Sequence, residues 1–116
     1  MNNTETRGEL RSLLERIASS EAADDAYTLA SDAWKYSMSR VELEGDWIFH
    51  PMWLLWGGLT DWAELKPEEA QDAAISMRRA ASEFLAIDPA DEPAQRAYFD
   101  VWLYEELGYE RRNSRS

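Results

Sequence analysis

The sequence contains no cysteine, one histidine and only two lysines. Without cysteine there can be no disulfide, no thiolate metal site and no cysteine nucleophile. The single histidine, His50, leaves an imidazole-based metal site without a second histidine ligand, and no carboxylate-rich calcium loop pattern occurs. We therefore expect no metal and no cofactor.

Basic residues are scarce as a class, because 12 Lys and Arg stand against 23 Asp and Glu, for a formal net charge of −11. Nucleic-acid binding normally needs a basic surface that neutralises phosphates. We therefore expect no nucleic-acid binding, and for the same reason no adhesion to anionic membranes. A cationic protein is the partner that such a surface would attract.

Long apolar runs are also missing. The longest, Met52 to Leu59, falls well short of the roughly 20 residues that span a bilayer. The opening "MNNTETRGEL" lacks the basic and apolar regions of a signal peptide. We expect a cytoplasmic protein, and the excess of arginine over lysine together with abundant alanine suggests a bacterial source.

What the chain does have is enough apolar residues for a core. Its 116 residues, 45% of them hydrophobic, fit one domain over 1–116. The polar ends, residues 1–6 and 111–116, are expected to be frayed.

Apolar residues recur with helical spacing in five segments, and no segment alternates with period two. The segments are 8–19, 21–43, 51–65, 66–88 and 93–108. Gly45 and Gly108 are placed as helix stops, and His50 is expected to be extended because it precedes Pro51. The sequence predicts an all-α, compact single-domain bundle of about five helices.

Four of the six tryptophans, Trp47, Trp53, Trp56 and Trp62, fall within 16 residues of sequence. On a helical wheel the segment from Met52 to Leu65 is apolar nearly all round, which predicts a central, buried, Trp-rich helix. The predicted core comprises Trp34, Leu55, Leu59, Trp62, Met77 and Phe84. A second interpretation is that some of these aromatic residues line a groove or pocket mouth. No Lys or Arg lies between Trp47 and Leu65, which argues against a membrane-surface helix.

The sequence contains few residue patterns that indicate catalysis. Asp46, four residues before His50, is placed to orient the imidazole ring, but no nucleophile motif accompanies the pair. Glu105 falls on one apolar face of the last helix, but Phe99, Leu103 and Leu107 form a second one, which leaves open whether Glu105 is buried or lies at an edge. If buried, its carboxylate needs a partner, and Arg78 is the candidate. We assign no catalytic residue, and enzymatic activity is not favoured.

Two function hypotheses follow. The first is a small acidic interaction module that binds and modulates or neutralises a basic partner protein, with Phe49, Trp53, Asp61 and Glu64 as its binding residues. Bacterial immunity proteins and antitoxins share that description, as an analogy of type only. The alternative is a helical small-ligand-binding protein or minor enzyme with an aromatic pocket around Trp47, Phe49, His50 and Trp53, to which Glu105 and Arg78 would contribute.

Overall fold

The computed structural model describes residues 3–44 and 46–109, and within them it contains five α-helices. They are α1 (Asn3–Ser19), α2 (Ala23–Glu44), α3 (Phe49–Leu65), α4 (Ala70–Leu85) and α5 (Glu92–Phe99). A 3₁₀ turn, Pro67–Glu69, leads into α4, and α5 continues as a π-helix over Asp100–Glu106. No strand occurs in these residues. The predicted all-α bundle of about five helices is confirmed.

Frayed tails were predicted at both ends of the chain, and only the first of them reaches into the described residues. Helix α1 begins at Asn3, inside the first predicted tail, and Thr6 is already buried. The second predicted tail, 111–116, lies outside the described residues, as does Gly45 with its predicted role as a helix stop.

Helix α3 lies in the interior of the bundle, where it packs against α2, α4 and the π-helix. Trp56 is fully buried on this helix, and its indole Nε1 donates to the sulfur of Met52 at 3.3 Å. Trp53 and Trp62 are only half-buried. The central tryptophan-containing helix is therefore as predicted, but just one of its indoles is enclosed completely.

The predicted core residues divide in the same way. Leu55, Leu59, Met77 and Phe84 are buried, whereas Trp34 and Trp62 are half-buried and pack against the core from its edge. The indole Nε1 of Trp62 donates to Glu69 Oε1 at 2.7 Å. A large aromatic ring with one polar atom commonly settles at such an edge, where the ring is covered and the N–H finds a partner.

Small residues are frequent among the buried positions of α2 and α4, which contact each other. Both helices bury alanines: Ala26, Ala30 and Ala33 on α2, and Ala73, Ala74, Ala80 and Ala81 on α4. A methyl side chain lets a neighbouring helix backbone approach closely, so these alanines allow tight packing of α2 and α4 within the bundle.

The connection between α2 and α3 differs from the prediction. His50 is not extended; it lies in the first turn of α3, which begins at Phe49. A turn at residues 46–48 starts the helix early, because Asp46 accepts hydrogen bonds from the backbone N–H groups of Ile48 and Phe49. Pro51 still falls within the first turn, where its missing N–H is tolerated.

The chain leaves α5 through the π-helix and stops at Gly108, whose φ of 78° is left-handed. Glycine adopts this conformation without strain, so the predicted stop is confirmed. The backbone N–H of Leu107 donates to Trp102 O at 2.9 Å, five residues back, as in a π-helix. Each such turn holds more residues than an α-turn, and side chains after Asp100 rotate away from their α-helical positions.

Candidate functional site

A groove of about 420 Å³ runs between α2 and α3, and we call it the acidic groove. Its lining residues are Tyr27, Thr28, Ser31, Asp32, Trp34 and Lys35 from α2, and Gly57, Thr60, Asp61 and Glu64 from α3. The two helices run antiparallel, with Tyr27 opposite Glu64 at one end and Trp34 opposite Gly57 at the other.

Gly57 sets the width of the groove at its Trp34 end. A Cβ atom built on Gly57 would lie 3.1 Å from both Cδ1 and Nε1 of the Trp34 indole. That separation is tighter than an ordinary van der Waals contact, so the indole can lie this close to α3 only because the residue is glycine.

Negative charge dominates the groove. Asp32, Asp61 and Glu64 are all solvent-exposed, and among the described residues that line the groove Lys35 is the one cation. The Tyr27 hydroxyl donates to Glu64 Oε2, and this hydrogen bond raises the pKa of Tyr27. The contact fixes one carboxylate beside an aromatic ring and leaves Asp32 and Asp61 facing water.

The acidic groove continues into a smaller recess of about 200 Å³ at the start of α4. Tyr27 and Glu64 belong to both, and the recess adds apolar side chains such as Ala63, Pro67 and Met77. The combined surface therefore offers carboxylates together with aromatic and aliphatic contact area.

A second groove, of about 740 Å³, lies between the first half of α3 and the α5–π-helix segment, and we call it the aromatic groove. Its lining residues are Trp47, His50, Pro51, Leu54, Arg96, Phe99, Asp100, Leu103, Tyr104 and Tyr109. The Arg96 guanidinium lies 4.0 Å from the centre of the Trp47 ring while its Nε donates to Glu92 at 2.7 Å. This cation–π contact gives the groove a planar wall.

The predicted binding residues separate between these two grooves. Asp61 and Glu64 lie in the acidic groove, and Trp47 and His50 lie in the aromatic groove. Trp53 lines neither; its ring meets that of His50 edge-on at 5.8 Å. No single site brings all these residues together.

The placement of Phe49 at a binding surface was wrong. Phe49 is fully buried, with its ring 6.1 Å from that of Tyr36. The early start of α3 explains the error, because residue 49 enters the helix and takes the same face as Met52 and Trp56 instead of preceding it in an exposed connection.

The predicted pairing of Glu105 with Arg78 was also wrong. Glu105 is exposed, and Arg78 Nη2 donates instead to the backbone oxygen of Glu21 at 2.9 Å. The contact between α4 and the π-helix is made one residue along on each, where Arg79 Nη2 lies 3.2 Å from Glu106 Oε2. The π-helix is the physical cause, because it shifts the angular position of every residue after Asp100.

Asp46 does not orient His50 either. Both of its carboxylate oxygens accept hydrogen bonds from Arg7 of α1. The Asp46 carboxylate is therefore engaged by Arg7 and does not pair with the imidazole of His50, which is exposed.

Trp34 was predicted as a core residue and Tyr27 was assigned no place at a site, yet both line the acidic groove. Their spacing of seven residues, with Asp32 between them on the neighbouring face, carries the signal for a mixed aromatic and acidic surface. Arg96, Tyr104 and Tyr109 of the aromatic groove had no such signal, because the π-helix determines where they meet α3.

Within residues 3–44 and 46–109, no group of three or more His, Asp or Glu side chains is arranged to hold a metal ion. The described helices also include none with the length and apolarity needed to cross a membrane. Comparison of the chain with protein-family models, with curated proteins and with solved structures gives no match.

Proposed function

We propose that this chain is an acidic interaction module that binds a basic segment of a partner protein in the acidic groove. The observation that carries the proposal is the line of exposed carboxylates, Asp32, Asp61 and Glu64, beside the rings of Tyr27 and Trp34.

Carboxylates next to aromatic faces suit the side chains of arginine and lysine. A guanidinium or ammonium group gains charge-assisted hydrogen bonds from the carboxylates and a cation–π contact from a ring. The aliphatic stem of the same side chain can lie along the apolar surface of the adjoining recess, which includes Pro67 and Met77. A groove of this composition therefore favours a cationic peptide over a neutral one.

The net charge of −11 supports the same partner class at longer range. Complementary charge accelerates encounter, and that acceleration falls as salt screens the field. Affinity itself usually depends on a few aromatic anchors. Phe49 is unable to serve because it is buried, so we assign the anchoring role to Tyr27 and Trp34.

The proposal is tested with a labelled arginine-rich peptide, whose association rate is measured by stopped-flow anisotropy over a range of salt concentrations. The groove variant is Asp61→Asn with Glu64→Gln. The control is Glu9→Gln with Glu15→Gln, which removes the same charge from exposed positions of α1. We expect the groove variant to slow association roughly fivefold or more at low salt and the control to change it little.

Equal slowing by both pairs would show that net charge alone attracts the peptide, and binding that ignores salt would contradict the electrostatic basis. Either result would reject the acidic groove as the binding site.

Small-ligand binding in the aromatic groove is the second candidate function. It is favoured by one observation, that Trp47 and His50 line a groove large enough for a small molecule. The stacked Arg96 and Trp47 suit a planar aromatic acid. Titration with a panel of such acids should quench Trp47 saturably, and the quenching should disappear in Trp47→Phe but persist in Trp53→Phe. Quenching unaffected by Trp47→Phe would contradict this function.

A further inference from the structure

We infer that residues 110–116 (ERRNSRS), here called the arginine segment, bind in the acidic groove of the same molecule and compete with the basic partner. The competition rests on the proposed function; the intramolecular contact does not.

The arginine segment starts from a fixed point on α3. Its preceding residue, Tyr109, donates its hydroxyl to the backbone oxygen of Leu54 at 3.0 Å, and its backbone N–H donates to Leu103 O at 2.8 Å. The Tyr109 ring also packs over Gly58, where a Cβ atom would lie 3.0 Å from the hydroxyl oxygen. The chain therefore leaves the bundle beside the middle of α3.

Tyr109 lines the aromatic groove, and its hydroxyl end lies beside Gly58, the neighbour of the acidic-groove residue Gly57. Gly58 precedes Asp61 by three residues, a rise of about 4.5 Å along the helix. Burial and then the charge of Asp61 raise the pKa of Tyr109, as expected for a hydroxyl near that carboxylate. Asp61 thus faces both the groove and the start of the arginine segment.

The segment is long enough to follow the groove. Seven extended residues span up to about 23–25 Å. The groove runs along α3 from Gly57 to Glu64, which is about 10 Å of helix. The segment that carries Arg111, Arg112 and Arg115 is therefore longer than the α3 wall of the groove.

The charges are complementary in number as well as in sign. The segment carries three arginines and one glutamate, and the lining of the groove carries three carboxylates and one lysine. These arginines are of the same chemical class as the partner inferred above. A tethered ligand acts at a high effective concentration, up to millimolar for a short flexible link, so even a weak contact would occupy the groove for much of the time.

The contact is tested by paramagnetic relaxation enhancement on the full chain. Since the sequence has no cysteine, Ser116→Cys provides a unique site for a spin label. We expect selective broadening of the backbone amide signals of Asp32, Asp61 and Glu64 at low salt. The broadening should disappear when Arg111, Arg112 and Arg115 are all replaced by serine.

Three results would overturn the inference. Broadening that survives the serine replacements would not be electrostatic, and broadening centred on Trp47 and His50 would place the segment in the other groove. Broadening transferred from spin-labelled to separately isotope-labelled molecules in a mixture would show binding between copies.

A second measurement separates this inference from the proposed function. If both are correct, the serine-replaced chain should bind the labelled arginine-rich peptide roughly threefold tighter or more, because no segment has to be displaced. Peptide binding to neither chain, with the broadening intact, would reject the partner and retain the intramolecular contact. Equal peptide affinity of the two chains, without broadening, would reject the contact and retain the partner.

Discussion

Arg7 and Asp46, 39 residues apart, form a bidentate ion pair in which Nε and Nη2 each lie 2.7 Å from a carboxylate oxygen. The pair links α1 to the turn that begins α3. The carboxylate side chain is only 3% exposed and that of Arg7 is 28% exposed. Removal of either partner would therefore leave the other poorly compensated.

We expect Asp46→Asn to lower the free energy of unfolding by roughly 2–3 kcal/mol, less than for a fully buried pair because Arg7 reaches water. The Arg7 guanidinium holds the pKa of Asp46 below its usual range. The pair's stabilisation is thus present above the unfolded pKa of about 3.9 and is lost as pH falls through the lower, folded value. Urea melts between neutral and acid pH measure this loss, which Asp46→Asn should abolish.

Glu9→Gln is the control for that experiment, because Glu9 is an exposed acid on the same helix as Arg7. A wild-type acid dependence retained in Asp46→Asn would assign the effect to other carboxylates.

Tyr98 is the group that we expect to make the stability of the fold depend on pH in the alkaline range. Its hydroxyl donates to Ala80 O at 2.6 Å, and burial raises its pKa well above the usual range. Because the folded pKa exceeds the unfolded value of about 10, this contribution is fully present below pH ~10 and is lost as pH rises further. Tyr98→Phe should cost about 1 kcal/mol at neutral pH and make the alkaline decline of stability shallower. Identical alkaline slopes in circular dichroism melts would contradict this prediction.

The tryptophans of α3 should differ in their contributions to stability. Trp56 is fully buried, whereas Trp62 is half-buried with its Nε1 bonded to Glu69. We expect Trp56→Ala to cost roughly 3–5 kcal/mol and Trp62→Ala clearly less, because solvent can fill part of the space that Trp62 leaves. Paired denaturant melts give the comparison, and an equal or larger loss for Trp62 would contradict it. Trp56→Phe keeps the comparison measurable if the alanine variant does not fold.

Ser37 offers a substitution that should stabilise the bundle. It is fully buried on α2, and its Oγ has no hydrogen-bond partner within the described part of the chain. An unpaired buried hydroxyl costs free energy that alanine avoids. We expect Ser37→Ala to raise the free energy of unfolding by about 1 kcal/mol. The control Ser39→Ala, an exposed serine bonded to Tyr36 O, should change it little. Loss of stability in Ser37→Ala would show that the hydroxyl is paired in solution.

The helical fold could be predicted from the sequence because its signals are local. The spacing of Leu10, Leu14 and Ile17, the prolines at helix starts and the left-handed Gly108 each act over a few residues. Sequence spacing alone does not report where helices meet. The acidic groove depends on Tyr27 lying opposite Glu64 across 37 residues, so the sequence indicated Asp61 and Glu64 as acids but did not associate them with Tyr27.

The errors also have local causes. Phe49 was misplaced because the turn at Asp46 starts α3 two residues before Pro51. The conditional pairing of Glu105 with Arg78 failed because a wheel of 100° per residue does not hold in the π-helix. In both cases the hydrophobic pattern was interpreted correctly and the backbone geometry beneath it was not.

The alanine stripes of α2 and α4 have a consequence for conformational entropy. A buried leucine or methionine gives up rotamer freedom on folding, whereas alanine has none to lose. These alanines are therefore buried at almost no side-chain entropy cost. A larger residue at Ala30, which is fully buried on α2, would need space that a close-packed core does not provide, so α2 would have to move. Since α2 forms one wall of the acidic groove, such a movement would change the width of the groove.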